Sequence, residues 1–500
     1  MKELNRLGYI GVALLMMVIS SCNEDFLEKN PLDQISSETF WNSESDLQNA
    51  VTGCYARLKG SFFDYQRGYL EGLSDNGYVH WGLYGIENMS LGNISASSGG
   101  VKNDVYNGSY RGISQCNFFL DNVENTVGVD RAVMDKAKAE VRFLRALFYF
   151  DLVSTFGDVV LYETSPVDAE DSKRAKSPKA EVLDFIHGDL DFAIANLPNT
   201  TYYSGHAVRG SAMALKARVL ITEEKWSETA ILAREVMQSG NFQVYEDYNS
   251  MFINEGQANN PEIMFSVDYL SPEGHSDYGM NIEYTAHIFP TMGLFESYEC
   301  TDGLPISESP LFDPVNPYEN RDPRLKATFR LPGENWEGFY TTDQFNPTGV
   351  WNKKGATPTI PATYPNAYLN DWNWILLRYA DVLLMYAEAQ NELSGPDQSV
   401  YDAINEVRER SSVNMPLIDQ TRYSTQALVR EYIRNERRIE FAMEGIRYFD
   451  LKRWEIAHLV LPELTNPGGV PLVFEQKHYN WPFSQFELDS NENLEQTTGY

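Results

Sequence analysis

Basic residues are scarce in this 500-residue chain: 40 Lys and Arg stand against 71 Asp and Glu, a net charge of −31 at pH 7. Such a surface repels a phosphate backbone or an anionic lipid face, which argues against nucleic acid as a partner. Cysteine is scarcer still, with four in all, so no disulfide framework carries the fold. After the N-terminus there is no apolar run of about 20 residues, the length that crosses a bilayer. The signatures of common catalytic classes are missing too: His-Glu-x-x-His, Cys-x-x-Cys, the P-loop and Gly-x-Gly-x-x-Gly. The seven histidines are scattered from His80 to His478. Gly112-Ile113-Ser114-Gln115-Cys116 begins like a nucleophile elbow but lacks the second glycine and falls in a helical stretch. With 71 acidic residues, a carboxylate pair at glycosidase separation arises by chance and discriminates nothing. No enzyme is expected.

What is present begins with an address. Lys2 and Arg6 precede an uncharged run from Gly8 to Ile19, too short to span a bilayer and suited to a signal-peptide core. Ile19-Ser20-Ser21-Cys22 resembles the bacterial lipoprotein processing site. Residues 1–21 therefore read as a signal peptide and Cys22 as the lipidated first residue of the mature chain. Cys54, Cys116 and Cys300 remain, allowing at most one disulfide. Asn23-Glu24-Asp25 resembles the acidic export signal of surface lipoproteins in Bacteroidetes, and a solvated linker explains these charges equally well.

Helical periodicity dominates the rest. Val133, Ala137, Val141, Leu144, Phe148 and Leu152 form an apolar stripe that ends at Gly157-Asp158. Ala212–Glu223 and Ser227–Ser239 form a helical pair around Lys225-Trp226, with Ala214, Ala217 and Ala230 for close contact, much like one tetratricopeptide unit. Further helices are expected over Asp46–Lys59, Ile113–Asn125, Ala180–Leu197, Ile375–Leu393, Val400–Arg410 and Gln426–Arg447. The last carries a stripe of Leu428, Tyr432, Ile439, Met443 and Ile446, with Glu436 on the same face. A buried carboxylate needs a partner, so Glu436, Glu440 and arginines such as Arg437, Arg438 or Arg378 read as a structural ion-pair network. Arg378 and Asp381, three apart, fit the same role, and Arg321–Leu325 reads as a fixed turn.

Two stretches break the helical pattern. Residues 71–110 are rich in Gly, Asn, Ser and aromatics, and residues 241–373 hold most of the prolines with a few strand-like pieces such as Glu262–Tyr269. Long irregular segments in a compact chain are usually functional. The expected architecture is mainly α: a tetratricopeptide-like helical-repeat platform, about 40–240 and 375–460, carrying loop-rich, partly β excursions at about 71–110 and 241–373. After the signal peptide, residues 22–500 form one unit.

The loop composition suits sugar. Sugar rings offer apolar C–H faces to flat aromatics, and their hydroxyls need polar partners held by side chains that lose little entropy. Asp75, Asn76, Tyr78, His80, Trp81 and Tyr84 interleave these two kinds of group. Tyr284, His287, Phe289, Trp336, Phe339 and Tyr340 form a second cluster, and Trp81 and Trp336 are favoured by their glycine and polar neighbours.

Several strings then resemble one family. They are Phe143-Leu144-Arg145-Ala146 with Phe156-Gly157-Asp158-Val159, Asp302-Gly303-Leu304-Pro305, Arg321-Asp322-Pro323-Arg324-Leu325, Arg378-Tyr379-Ala380-Asp381 running to Glu388-Ala389, and Glu436-Arg437-Arg438-Ile439-Glu440 running to Trp454. Five in order behind a lipoprotein signal resemble the SusD/RagB family of outer-membrane nutrient-binding lipoproteins. Val160, where the family often has proline, and the closing Gln496–Tyr500 depart from its pattern. The resemblance implies a non-catalytic surface glycan binder that hands oligosaccharide to a SusC-like TonB-dependent transporter, without a cofactor, and leaves a structural calcium ion open. Peptide capture, as in the RagB branch, is the alternative within the class. A surface glycosidase, or an adhesin, is the alternative outside it. No ligand-binding residue carries over by motif, so the expected ligand contacts Asp75, Asn76, Tyr78, His80, Trp81, Tyr84, Tyr284, His287, Trp336 and Tyr340 rest on chemistry.

Overall fold

Ser43, Asp322, Asp397 and Thr425 each stand just before a helix and accept a backbone N–H from its first turn. They satisfy donors that a helix start leaves orphaned. The computed structural model describes residues 40–60, 62–79, 83–203, 205–270, 288–334, 348–355 and 373–500. The α-helices of seven or more residues are α1 Glu44–Tyr55, α2 Val101–Asn122, α3 Arg131–Phe156, α4 Lys179–Asn196, α5 Arg209–Thr222, α6 Trp226–Gln238, α7 Tyr379–Ser394, α8 Gln398–Arg408, α9 Gln426–Glu440 and α10 Arg447–Arg453. From α2 to α7 each packs against the next in the chain, and α7 then packs on α8 and α9. This neighbour-on-neighbour stacking is the helical-repeat platform expected from the sequence. Its apolar interior is continuous from Trp41 to Leu494.

The platform is tight where small residues cross. Ala212, Ala214, Ala217, Ala230 and Ala233 are all buried in the α5–α6 pair. A Cβ on Gly112 would lie 2.4 Å from the Phe148 ring. That glycine therefore exists to let α2 cross α3, and Ser114 is an exposed mid-helix residue rather than a nucleophile. Helix α3 ends as its stripe predicts, with Gly157 at φ 76° donating its N–H to the Val153 carbonyl.

Three expectations change. Helix α2 starts at Val101, twelve residues before Ile113, inside the stretch read as irregular. That stretch also takes in the end of a 3-10 helix, Tyr65–Leu73, and a short helix, Ile86–Ser90. Glycines at 108 and 112, the second needed for close packing on Phe148, hid the helical pattern. Residues 375–378 are strand, not helix, because a short continuous apolar run has no period to separate the two. Helix α9 stops at Glu440 instead of Arg447. Met443 at φ 66° and Gly445 at φ 72° break it, and a Cβ on Gly445 would lie 2.3 Å from the Arg67 carbonyl oxygen. Leu428 is consequently off the buried stripe and 46% exposed, and Val429 and Ile433 take its place beside Tyr432 and Ile439.

The described strands form three antiparallel two-stranded pairs. β1 Gly77–Val79 pairs with β3 Ile288–Pro290, β2 Ile263–Val267 with β6 Trp374–Arg378, and β4 Phe329–Arg330 with β5 Trp351–Asn352.

The last third of the fold packs around buried charge. Arg324 donates to Asp322 (2.7 Å), Glu436 (2.6 Å) and Glu440 (2.8 Å). Arg378 reaches Glu262 (2.9 Å), Glu440 (2.7 Å) and Glu444 (2.8 Å). Arg410 joins Glu262 to Glu440 at 2.5 and 2.9 Å, and Arg408 joins Glu436 to Glu299 at 3.0 and 2.9 Å. Arg437 bridges Asp381 (2.7 Å) and Asp450 (2.9 Å). Glu436 is buried and paired as expected, but with Arg324 and Arg408 rather than with Arg378, Arg437 or Arg438. Asp381 likewise takes Arg218 and Arg437, not Arg378. Burial pushes the Glu440 and Asp381 carboxyls up, and their surrounding guanidiniums more than reverse it, holding both far below the usual carboxylate range. Such a cluster adds little net stability over an apolar core, yet removing one member strands the others.

Candidate functional site

The network reaches the loops through two arginines of the α9–α10 region. Arg447 donates to both Asp75 carboxylate oxygens at 2.8 and 3.0 Å. Arg438 donates to the Asp75 carbonyl and to Asn76 Oδ1, each at 2.8 Å. Burial raises the Asp75 carboxyl, but Arg447 and Arg438 prevail and hold it down at about 2. Asn76 Nδ2 donates to Glu71 at 3.0 Å, and the Gly445 N–H donates to the other Glu71 oxygen at 2.8 Å. With no cation in direct contact, burial pushes Glu71 up to about 7. Asp75 is 5% and Asn76 0% exposed. Both were expected to touch ligand. They instead brace the segment, because every polar group they carry is aimed inward at a partner.

That brace carries β1 and, through it, β3. Tyr78 stands opposite Phe289 and Val79 opposite Ile288, while Thr291 donates its N–H to the Asn76 carbonyl and its hydroxyl to the Asp75 carbonyl. The chain before His80 and the chain after His287 therefore leave from adjacent ends of one ladder. The β4–β5 pair does the same for the segment that contains Trp336, and β3 packs against β5. Val267 stands opposite Trp374, so the chain after 267 and the chain before 374 also leave from adjacent ends of one ladder. His80, Trp81, Tyr284, His287, Trp336, Phe339 and Tyr340 themselves lie outside the described residues, as does Cys22.

Of the expected ligand contacts, Tyr78 and Tyr84 are half-buried. Tyr78 donates its hydroxyl to the Thr465 carbonyl (3.1 Å). Tyr84, at φ 51°, packs edge-on to Phe62 and accepts a hydrogen bond from Gln66 Nε2 at 2.8 Å. Asp64, two residues earlier, accepts from the Gln66 N–H and from the Tyr269 hydroxyl, and Lys59 Nζ lies 4.5 Å from the centre of the Tyr269 ring. Residues 64–66 thus tie the first excursion to the second.

Beside Tyr269 is a hollow of 270 Å³ that the sequence reading missed, lined by Tyr202, Tyr203, Gln257, Asn259, Asp268 and Asn373 among others. Tyr203 is 67% exposed. Gln257 and Asn373 exchange two hydrogen bonds of 2.9 and 2.7 Å, and burial raises the Asp268 carboxyl. An exposed phenol beside amides and a carboxyl offers a stacking face with hydroxyl partners. Its only sequence cue was Tyr202-Tyr203 before Ser204-Gly205, within a stretch otherwise read as helical platform.

Residues 230–500 match the SusD family model, and residues 25–221 match a second model described as starch-binding associating with outer membrane. The chain belongs to the SusD family. It is 28% identical to a SusD-like protein of Formosa agariphila, over 98% of this chain and 97% of that one. To the starch-binding protein SusD of Bacteroides thetaiotaomicron it is 22% identical, over 78% of this chain and 76% of that one. The crystal structure of a SusD-like carbohydrate-binding protein from Bacteroides fragilis, 29% identical, matches with a TM-score of 0.82 and covers 91% of this chain and 100% of that one. The SusD-like fold expected from five short strings therefore extends over nearly the whole chain.

Proposed function

We propose that the protein captures oligosaccharides on the face formed by its two excursions and passes them, unchanged, to a SusC-like TonB-dependent transporter in the outer membrane, to which Cys22 anchors it by lipid. The observation that carries this reading is the convergence of loop bases on paired ladders and on residues 64–66, in a SusD-family chain whose relatives include proteins named for carbohydrate and starch binding. Aromatic faces and amides, not paired catalytic groups, are what those loops contribute in sequence. A rigid platform that gathers variable loops suits binding, since contacts held in place lose less entropy when ligand arrives. The test is a glycan array probed with the soluble chain beginning after Cys22, followed by product analysis of each hit. Saturable binding with ligand recovered intact is expected. Cleaved product would establish a glycosidase, and binding of peptides in place of glycans would favour the RagB-like alternative.

A further inference from the structure

A large cleft lies between the end of α3, the start of α4 and helix α10. It has a volume of 580 Å³. Two lysines line it, Lys179 at the first position of α4 and Lys452 in α10. In a chain whose buried guanidiniums are nearly all matched to carboxylates, these two ammonium groups are exceptions. Neither forms an ion pair with any described carboxylate. The hydrogen bond that Lys452 makes runs to the Ser154 carbonyl (2.5 Å), although its residue is only 9% exposed.

The surroundings sharpen the mismatch. Asp151 faces Lys452 from α3, but Arg67 already takes one of its oxygens at 2.8 Å. Asp151 Oδ2 and Ser154 Oγ are buried with no partner. Glu223, at the end of α5, is occupied by His187 (2.6 Å) and Lys225 (2.7 Å), and Asp158 accepts the Lys179 backbone N–H. On the segment carrying Lys452 itself, Asp450 is held by Arg437 and Arg453. Burial pushes Lys452 down to about 7, and the neighbouring charge of Lys179 adds to the effect. Burial lowers Lys179 as well. Two lysines without an ion pair thus line the cleft, with the exposed Glu224 and Glu455 at its edge.

We propose that this cleft is an oxyanion site that takes the carboxylate or sulfate group of an acidic sugar between Lys179 and Lys452. The anion supplies the counter-charge that the two ammonium groups lack. The inference uses no loop residue, so it stands or falls separately from glycan capture on the excursions.

The test is calorimetric titration of the soluble chain with galacturonate, with galactose, and with inorganic sulfate and phosphate, in two buffers of different ionisation enthalpy at pH 7. Saturable binding of galacturonate and not of galactose is expected, with proton uptake as Lys452 becomes fully charged. Lys452→Met and Lys179→Met should each weaken binding tenfold or more, whereas Lys326→Met, on an exposed lysine paired with Glu319, should not change it. Removing a buried unpaired charge spares the fold, so thermal melts of the two cleft variants should match or exceed the parent. Binding of sulfate or phosphate as tightly as galacturonate would keep the oxyanion site and make a free ion its ligand. Absence of binding by all three anions, or binding that survives both lysine substitutions, would overturn the proposal.

Discussion

Glu436 offers the sharpest test of the buried network. It accepts from Arg324 at 2.6 Å and from Arg408 at 3.0 Å, and those two arginines are 0% and 1% exposed. In Glu436→Ala, Arg324 keeps Asp322 and Glu440, but Arg408 is left with Glu299 alone among carboxylates. Two charge-assisted hydrogen bonds disappear, each worth about 1.5–3 kcal/mol, and breaking a buried pair by deleting one member costs about 3–5 kcal/mol. Glu436→Gln should cost less, because its amide oxygen still accepts from one arginine. Heat is a poor readout: at about 2.1 cal/mol/K per residue, a chain this long has an unfolding entropy on the order of 1 kcal/mol/K, so about 4 kcal/mol moves the melting point by only about 4 °C. Equilibrium unfolding in urea, compared with Glu431→Ala, is the better assay. Glu431 sits on the same helix, is 70% exposed and, among the described residues, pairs with Arg434, so its loss should cost under about 1 kcal/mol. Equal stability of Glu436→Ala and Glu431→Ala would refute the argument that the network is structural.

Trp81→Ala and Trp336→Ala should each weaken oligosaccharide binding about thirtyfold or more, roughly 2 kcal/mol, while urea unfolding stays as in the parent; lost stability with native affinity in the folded fraction would make these indoles core. Cys22→Ala should leave an uncleaved or mislocalised precursor, since the thiol is the acceptor for the lipid, and surface fractionation at wild-type level would contradict it. Glu71 gives a pH signature. Its folded pKa, about 7, lies above its ordinary 4.5, so the folded state binds the extra proton and stability must fall as pH rises between those values, by about 2–3 kcal/mol in all. Glu71→Gln should flatten the unfolding free energy over pH 4.5–7 relative to the parent; an unchanged slope would show that Glu71 does not titrate there.

The platform was legible because its apolar spacing is regular: α3, α4 and the α5–α6 pair lie within a few residues of where periodicity puts them. Breaks in that reading have local causes. Trp374–Arg378 has no period at all, α2 carries a glycine at 112 that packing demands, and the end of α9 depends on Gly445 meeting a backbone carbonyl far away in sequence. The network was legible only as chemistry. Glu436 on an apolar face announces a buried charge, but nothing in Glu436-Arg437-Arg438-Ile439-Glu440 says that its charged members turn to different partners, the third of them outward to the loop brace. Asp75 and Asn76 misled for that reason. A polar residue among loop aromatics looks the same in sequence whether it faces a sugar or Arg447. Tyr203 and the lysine cleft were invisible because they are assembled from segments that are distant in the chain.

The paired ladders also bear on how such a protein diversifies. Arg330 stands opposite Trp351, so the segment leaving β4 returns directly to its partner β5, and what lies between can lengthen without moving the platform. Each doubling of such a segment costs only about 0.6 kcal/mol of closure entropy, far less than any change to the helix stack or to the buried charges. Insertions and exchanges should therefore accumulate at these sockets while the arginine and glutamate pairs stay put, letting one scaffold be refitted for a new nutrient by changing a few dozen residues.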